Sequence, residues 1–178
     1  MKRYAALFIL LAGIALYAGF GLLEAQGRPR ISPHESVENT VDGAKITIVY
    51  GRPSMRGRKI FGALVPYGRI WGPGADEATT LDSSKVLVLG GVRVPSGPHT
   101  IWVLPTSDRW TLIVSDEPSA FHTRYPSGSD LGRVAFTKRH LAQPIEQLTF
   151  EIRPGRAGGG TLAMLWEETE ASVAFTVQ

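Results

Sequence analysis

Residues 147–177 read QLTFEIRPGRAGGGTLAMLWEETEASVAFTV. In 147–153 the apolar Leu148, Phe150 and Ile152 alternate with Thr149, Glu151 and Arg153, the period-2 pattern of a strand with one buried face. After a glycine-rich connection at 155–160, Leu162, Met164 and Trp166 share one face of 161–166, and Val173, Phe175 and Val177 share one face of 171–177. Residues 167–170 between these two arms read as the turn of a terminal hairpin.

The same alternation recurs upstream. In 44–50, Ile46, Ile48 and Tyr50 oppose Lys45, Thr47 and Val49. Segments 85–89 and 92–94 are separated by Gly90-Gly91, a pair that supplies the positive φ angles of a tight hairpin turn. Segments 100–104 and 110–115 form a second hairpin through the polar residues 105–109, with Trp110, Leu112 and Val114 on one face. A short strand is predicted at 133–138 and a short helix or turn at 138–147. A second long loop, 116–131, carries Phe121, His122, Tyr125 and Pro126. Downstream of residue 26 no apolar stripe of period 3.6 exceeds two turns. The pattern predicts an all-β fold, an antiparallel β-sandwich or barrel-like single domain over 44–178, preceded by an N-terminal hydrophobic helix.

Composition narrows the function classes. The chain of 178 residues has 19 Lys and Arg against 16 Asp and Glu, a formal net charge of +3. The positives concentrate only at 52–59, which argues against nucleic-acid binding, where a basic stripe or helix is the usual footprint. The absence of cysteine removes disulfides, thiolate metal sites and a cysteine nucleophile together. His34, His99, His122 and His140 are far apart and form no metal-ligating spacing, so no metal and no cofactor is expected. No Gly-x-Ser-x-Gly elbow and no nucleotide-binding glycine loop is present.

At the N-terminus, Lys2 and Arg3 precede an uncharged run, residues 5–23, that closes at Glu24. As a helix it would span roughly 28 Å, close to the hydrocarbon thickness of a bilayer. Residues 1–25 therefore read as a signal peptide or signal-anchor helix, and 26–43 as a linker and lead-in segment. A cut after Ala25 would leave bulky Leu23 where a small residue is wanted, which favours an uncleaved anchor. The domain is then expected on the inner membrane, facing the periplasm or exterior, with secretion after cleavage as the alternative. Arg28 and Arg30 weaken the positive-inside bias of Lys2 and Arg3.

Between the strands lies YGRPSMRGRKIFGALVPYGRIWGPGADEATT, residues 50–80, the candidate site. Arg52, Arg56, Arg58, Lys59 and Arg69 could cradle a small anion, since Arg presents a planar fork of donors to carboxylate or phosphate. Tyr50, Tyr67, Trp71, Trp102 and Trp110 could stack on a carbohydrate or other flat ligand; Trp110 and Trp166 fit inward registers and read as packing, and Trp71 is the better candidate for an exposed platform. Asp76 and Glu77 are the acid/base candidates. Their plainer reading is that Asp76 caps a turn and Glu77 pairs with Arg52, Arg58 or Arg69. The apolar Ile60, Phe61, Leu64, Val65 and Ile70 are numerous enough for the stretch to plug one end of a β core.

The run YGRPSMRGRKIFGALVPYGRIW followed by GADEATT resembles the signature of a bacterial family of exported β proteins known as domain of unknown function 2911. VPSGPHTIWVLPTSDRWTLIVS resembles that family's second block and TLAMLWEETEASVAFTV its last hairpin, so the resemblance covers most of 46–177. It implies an exported, mainly β domain and directs attention to Arg52, Arg58, Tyr67, Trp71, Glu77 and Thr79. Two departures stand out. Asp76 occupies a position where members usually carry Asn, and Gly72-Pro73 follows the Trp where many carry a basic or polar residue and Thr. The reading that results is a non-catalytic ligand-binding or interaction module of the cell envelope. The alternative is an envelope hydrolase acting on a carbohydrate or ester-like substrate with Glu77 as acid or base.

Terminal sequencing of protein extracted from membranes is expected to return an intact Met1 or Lys2 start, and a start at Gln26 would establish cleavage instead.

Overall fold

The computed structural model describes residues 31–117 and 122–178. The expected N-terminal helix, the first part of the linker and Phe121 of the second loop lie outside the described residues. Among the described residues all regular structure is β: β1 (His34–Val41), β2 (Ala44–Gly51), β3 (Thr80–Ser83), β4 (Leu87–Leu89), β5 (Val92–Val94), β6 (Gly97–Pro105), β7 (Trp110–Ser115), β8 (Asp130–Ala135), β9 (Thr137–Pro154) and β10 (Gly160–Val177). They form a six-stranded sheet in the order β1-β2-β3-β6-β7-β8 and a four-stranded sheet in the order β5-β4-β10-β9, antiparallel throughout. No helix among these residues is long and apolar enough to cross a membrane.

The alternating residues face each other across one core. Ile46, Ile48, Leu81, Ile101, Leu112 and Val114 of the larger sheet pack with Leu148, Phe150, Leu162, Met164, Val173 and Phe175 of the smaller one. Burial of such side chains is the main driving force, about 1.5–3 kcal/mol each. The sheets also touch along both pairs of edges. Asn39 in β1 donates to the Ile152 carbonyl in β9 at 3.0 Å. On the other side Gly132 in β8 lies so close to Val92 in β5 that an added Cβ would sit 2.6 Å from its methyls. The fold is thus a sandwich closed at its edges into a flattened barrel.

Several strand boundaries correct the sequence expectation. Residues 26–43 were expected as a linker and lead-in segment, yet His34–Val41 is β1, paired with β2 from His34↔Gly51 to Val41↔Ala44. Strand β3, only four residues long, carried no sequence signal. Residues 138–147, expected as a short helix or turn, lie within β9. Both faces of this part are largely solvated, so it shows no alternation, and Pro144 falls where the pairing with β10 lapses between His140 and Ile145.

The expected turn at 167–170 is likewise part of one long strand. β10 pairs with β9 on both sides of it, and the register shifts between Leu165 and Glu167 and again between Glu167 and Thr169. Glu167 has φ 52°, the left-handed conformation of a bulged residue. The strand curls enough for Gly160 at its start to lie against Phe175 near its end, where a Cβ would come within 2.6 Å of the ring.

Beside this bend, Glu170 is buried and accepts from Arg139 Nη2 at 2.7 Å and from Arg153 Nη1 and Nη2 at 3.0 and 3.2 Å. The Arg153 bonds, then those of Arg139, hold its carboxyl below the usual glutamate value in spite of burial. A native pKa below the unfolded one gives stability that is complete above the unfolded value and is lost as pH falls through the native value. The two arginines are 64% and 39% exposed and stay hydrated. Glu170→Gln is therefore expected to lower stability at neutral pH by only about 1–2 kcal/mol. The gap to the parent should close as the pH drops below about 4.3. Urea melts across that range check it, and a gap that persists undiminished under acid would contradict this account.

Candidate functional site

The stretch 50–80 leaves β2, crosses one end of the barrel and returns as β3. At its start Gly51 faces the returning arm so closely that a Cβ would lie 2.0 Å from the Ala75 carbonyl oxygen. Arg52 follows. Its Nη1 donates to both oxygens of Glu35 at 3.0 and 3.1 Å, its Nε to the Leu148 carbonyl at 3.1 Å, and its Nη2 to Thr149 Oγ1 at 3.1 Å. One guanidinium thereby ties β1, the end of β2 and β9 together. Burial pushes the neighbouring Tyr50 phenol above its usual pKa, and its oxygen accepts from the Phe150 amide at 3.3 Å.

Residues 53–56 run beside β9. The Pro53 carbonyl accepts from Leu148 N at 3.0 Å, Met55 N donates to the Glu146 carbonyl at 2.8 Å, and Arg56 N donates to Glu146 Oε1 at 2.8 Å. Arg56 and Gly57 then turn the chain with φ of 51° and 70°. Arg58 folds back on this turn, donating to the Met55 and Ser54 carbonyls at 2.9 and 2.8 Å.

The next residues enter the core. Ile60, Phe61 and Val65 are buried. The Ile60 and Phe61 amides donate to Glu167 Oε1 and Oε2 at 3.1 and 3.2 Å, so the carboxylate on the β10 bulge grips the loop backbone. The Phe61 ring meets Trp110 edge-on at 4.4 Å, with Trp71 and Trp166 near 6 Å. Trp71 stacks on Trp166 at 6.0 Å and 19°. Its backbone also exchanges two 2.8 Å hydrogen bonds with Val103 in β6. Trp71 is therefore partly buried in an aromatic plug rather than an exposed platform. Leu64 and Tyr67 at the outer turn are 48% and 45% exposed.

The returning arm is clipped by Thr79, which is buried and donates from Oγ1 to the Pro73 carbonyl at 2.7 Å. Asp76 has φ 66°, a conformation that Asn and Asp tolerate better than other side chains. Its carbonyl accepts from His122 Nδ1, which must carry the proton because a carbonyl cannot donate. A Cβ on Gly72 would fall 2.4 Å from the His122 carbonyl oxygen, so the second long loop rests on this arm.

Glu77 Oε2 stands 3.5 Å from His34 Nδ1, with the two side chains 46% and 32% exposed. Of the arginines expected beside it, Arg52 bonds Glu35 and Arg58 bonds its own turn. The structure thus brings Asp76, Glu77 and Thr79 together on one arm while Arg52, Arg58 and Tyr67 sit elsewhere along the stretch. Sequence reasoning missed Glu35 and His34 because β1 was not recognised, and missed Glu146 and Glu167 because their partners lie about 90 and 107 residues away. Among the described residues no group of three His, Asp or Glu could hold a metal ion.

Glu167→Gln keeps the shape but weakens the grip on two buried amides. It is expected to cost about 1.5–3 kcal/mol in urea unfolding, the range for hydrogen bonds to a charged group. A change below a few tenths of a kcal/mol would show that the aromatic plug holds the loop without it.

No curated protein and no solved structure matches this chain. The family described as "Protein of unknown function (DUF2911)" matches residues 32–175, from just ahead of β1 to Phe175 in β10. That match covers most of the chain, which therefore belongs to the family.

Proposed function

We propose that this protein is a non-catalytic interaction module of the cell envelope, held at the membrane by its N-terminal apolar segment and acting through the outer rim of residues 56–69. The observation that carries the reading is the commitment of the site's polar groups to the fold. Arg52 is engaged by a carboxylate, a hydroxyl and a carbonyl, Arg58 by two carbonyls, and Thr79 by one. A site prepared for a small anion would instead aim such donors at a common point. What the stretch offers outward is Leu64, Tyr67 and the charged ends of its exposed cations.

A second reading is favoured by one contact. Glu77 beside His34 is a carboxylate–imidazole pair of the kind that serves acid/base hydrolysis of an ester or glycoside. The two readings separate in an assay of chromogenic glycosides and esters. Wild type and Glu77→Gln are both expected to turn over at the uncatalysed rate. Turnover by wild type that is lost in Glu77→Gln at unchanged melting temperature would overturn the interaction reading in favour of the hydrolase.

A further inference from the structure

The large hydrophobic side chains that stand exposed among the described residues are Ile31, Leu64 and Tyr67, at 76%, 48% and 45%. Leu64 and Tyr67 sit on the outer turn of residues 50–80. Ile31 opens the described domain, and its carbonyl accepts from Arg56 Nη2 at 3.4 Å, which ties the incoming chain to the same stretch. Between Arg52 and Ala75 the sequence holds Arg52, Arg56, Arg58, Lys59 and Arg69 and no Asp or Glu. The carboxylates that approach from other elements are each engaged: Glu35 by Arg52, Glu146 by the exposed Arg56 amide, and Glu167 by the Ile60 and Phe61 amides. Arg56, Arg58, Lys59 and Arg69 are exposed.

We infer that this rim, Leu64 and Tyr67 flanked by Arg56, Arg58, Lys59 and Arg69, docks on a bilayer surface bearing anionic headgroups. This rests on the envelope-anchored reading proposed above and names its partner. Two arguments choose lipid over another occupant. Apolar side chains interleaved with cations match an interface where hydrocarbon lies beneath a negative surface, with Arg and Lys reaching to the headgroups and Tyr at their level. The chain length supplies the second. The apolar run ends at Leu23, eight residues before Ile31, so an anchor ending there keeps Ile31 within about 29 Å of it. Ile31, where that tether reaches the described domain, is bonded through its carbonyl to Arg56 of the rim.

The absence of cysteine allows a direct test on the full chain. Leu64→Cys reports the rim. Lys85→Cys is the control, beside Gly43 at the opposite end of β2 from Gly51. Each is labelled with a fluorophore and mixed with vesicles holding about 30% phosphatidylserine or phosphatidylglycerol, or none, and challenged with an aqueous quencher. The protein is expected to float with the vesicles, with the label at Leu64→Cys quenched several-fold less than that at Lys85→Cys in anionic vesicles at low salt. Salt near 0.5 M, or a Lys59→Glu and Arg69→Glu background, should remove most of that protection. Flotation with equal quenching at both positions overturns the docking while leaving the anchor intact. Failure to float overturns the anchored reading and the docking with it. Protection undiminished in neutral vesicles overturns the anionic assignment, and protection already present in detergent without lipid assigns the rim to a second copy of the chain.

Discussion

The Glu167 carboxylate is the contact on which the candidate site depends. It projects from a bulge in β10 and takes the amides of Ile60 and Phe61, one oxygen each. Ile60 is wholly buried and Phe61 nearly so, and their amides lie too deep for water to replace this acceptor without cost. With the backbone fixed there, Phe61 reaches Trp110, and Trp71 settles against Trp166 while its backbone pairs with β6. The bulge therefore has a structural use: it re-aims one side chain of a long strand into the end of the barrel, where the loop needs an acceptor.

This arrangement sets the charge distribution. Carboxylates from β1, β9 and β10 bond to Arg52 or to amides of the stretch, and the one from β10 does so at its buried side. The cations on its outer side face solvent together with Leu64 and Tyr67. Residues 50–80 are thus a plug on one side and a basic, partly apolar rim on the other. The proposed interaction reading rests on that division, and the Glu77–His34 contact is the feature that speaks for chemistry.

Strands with one buried face were legible in the sequence, because burial writes the period-2 pattern: β2 and the second half of β9 show it. β6 and β7 are covered on both faces, with Trp102 and Ile113 in a second buried cluster, and were legible as short apolar runs bounded by turn residues. The Gly90-Gly91 turn was legible for its positive φ. Asp42-Gly43, with φ of 48° and 71° between the paired Val41 and Ala44, is a hairpin signal of the same kind, and weighing it would have found β1. β1 itself, HESVENTV, is polar and half-solvated, and the first part of β9 is exposed on both faces, so neither carries a hydrophobic period. The site was legible in place but not in wiring. Its apolar content announced a plug, whereas the partners of Arg52, Ile60 and Glu77 were fixed by which strands the topology sets side by side.

The central claim is that residues 52–75 are part of the cooperative core and not a mobile loop over an active site. Native-state hydrogen exchange measures this directly, by comparing the amides of Ile60, Phe61, Val65 and Trp71 with those of Ile48 and Leu112 as urea is raised. If the claim holds, the loop amides exchange through the same global opening as the strands, with the same free energy and the same urea dependence. Exchange of the loop amides several kcal/mol more easily, and without urea dependence, would show a segment that opens alone and would contradict it.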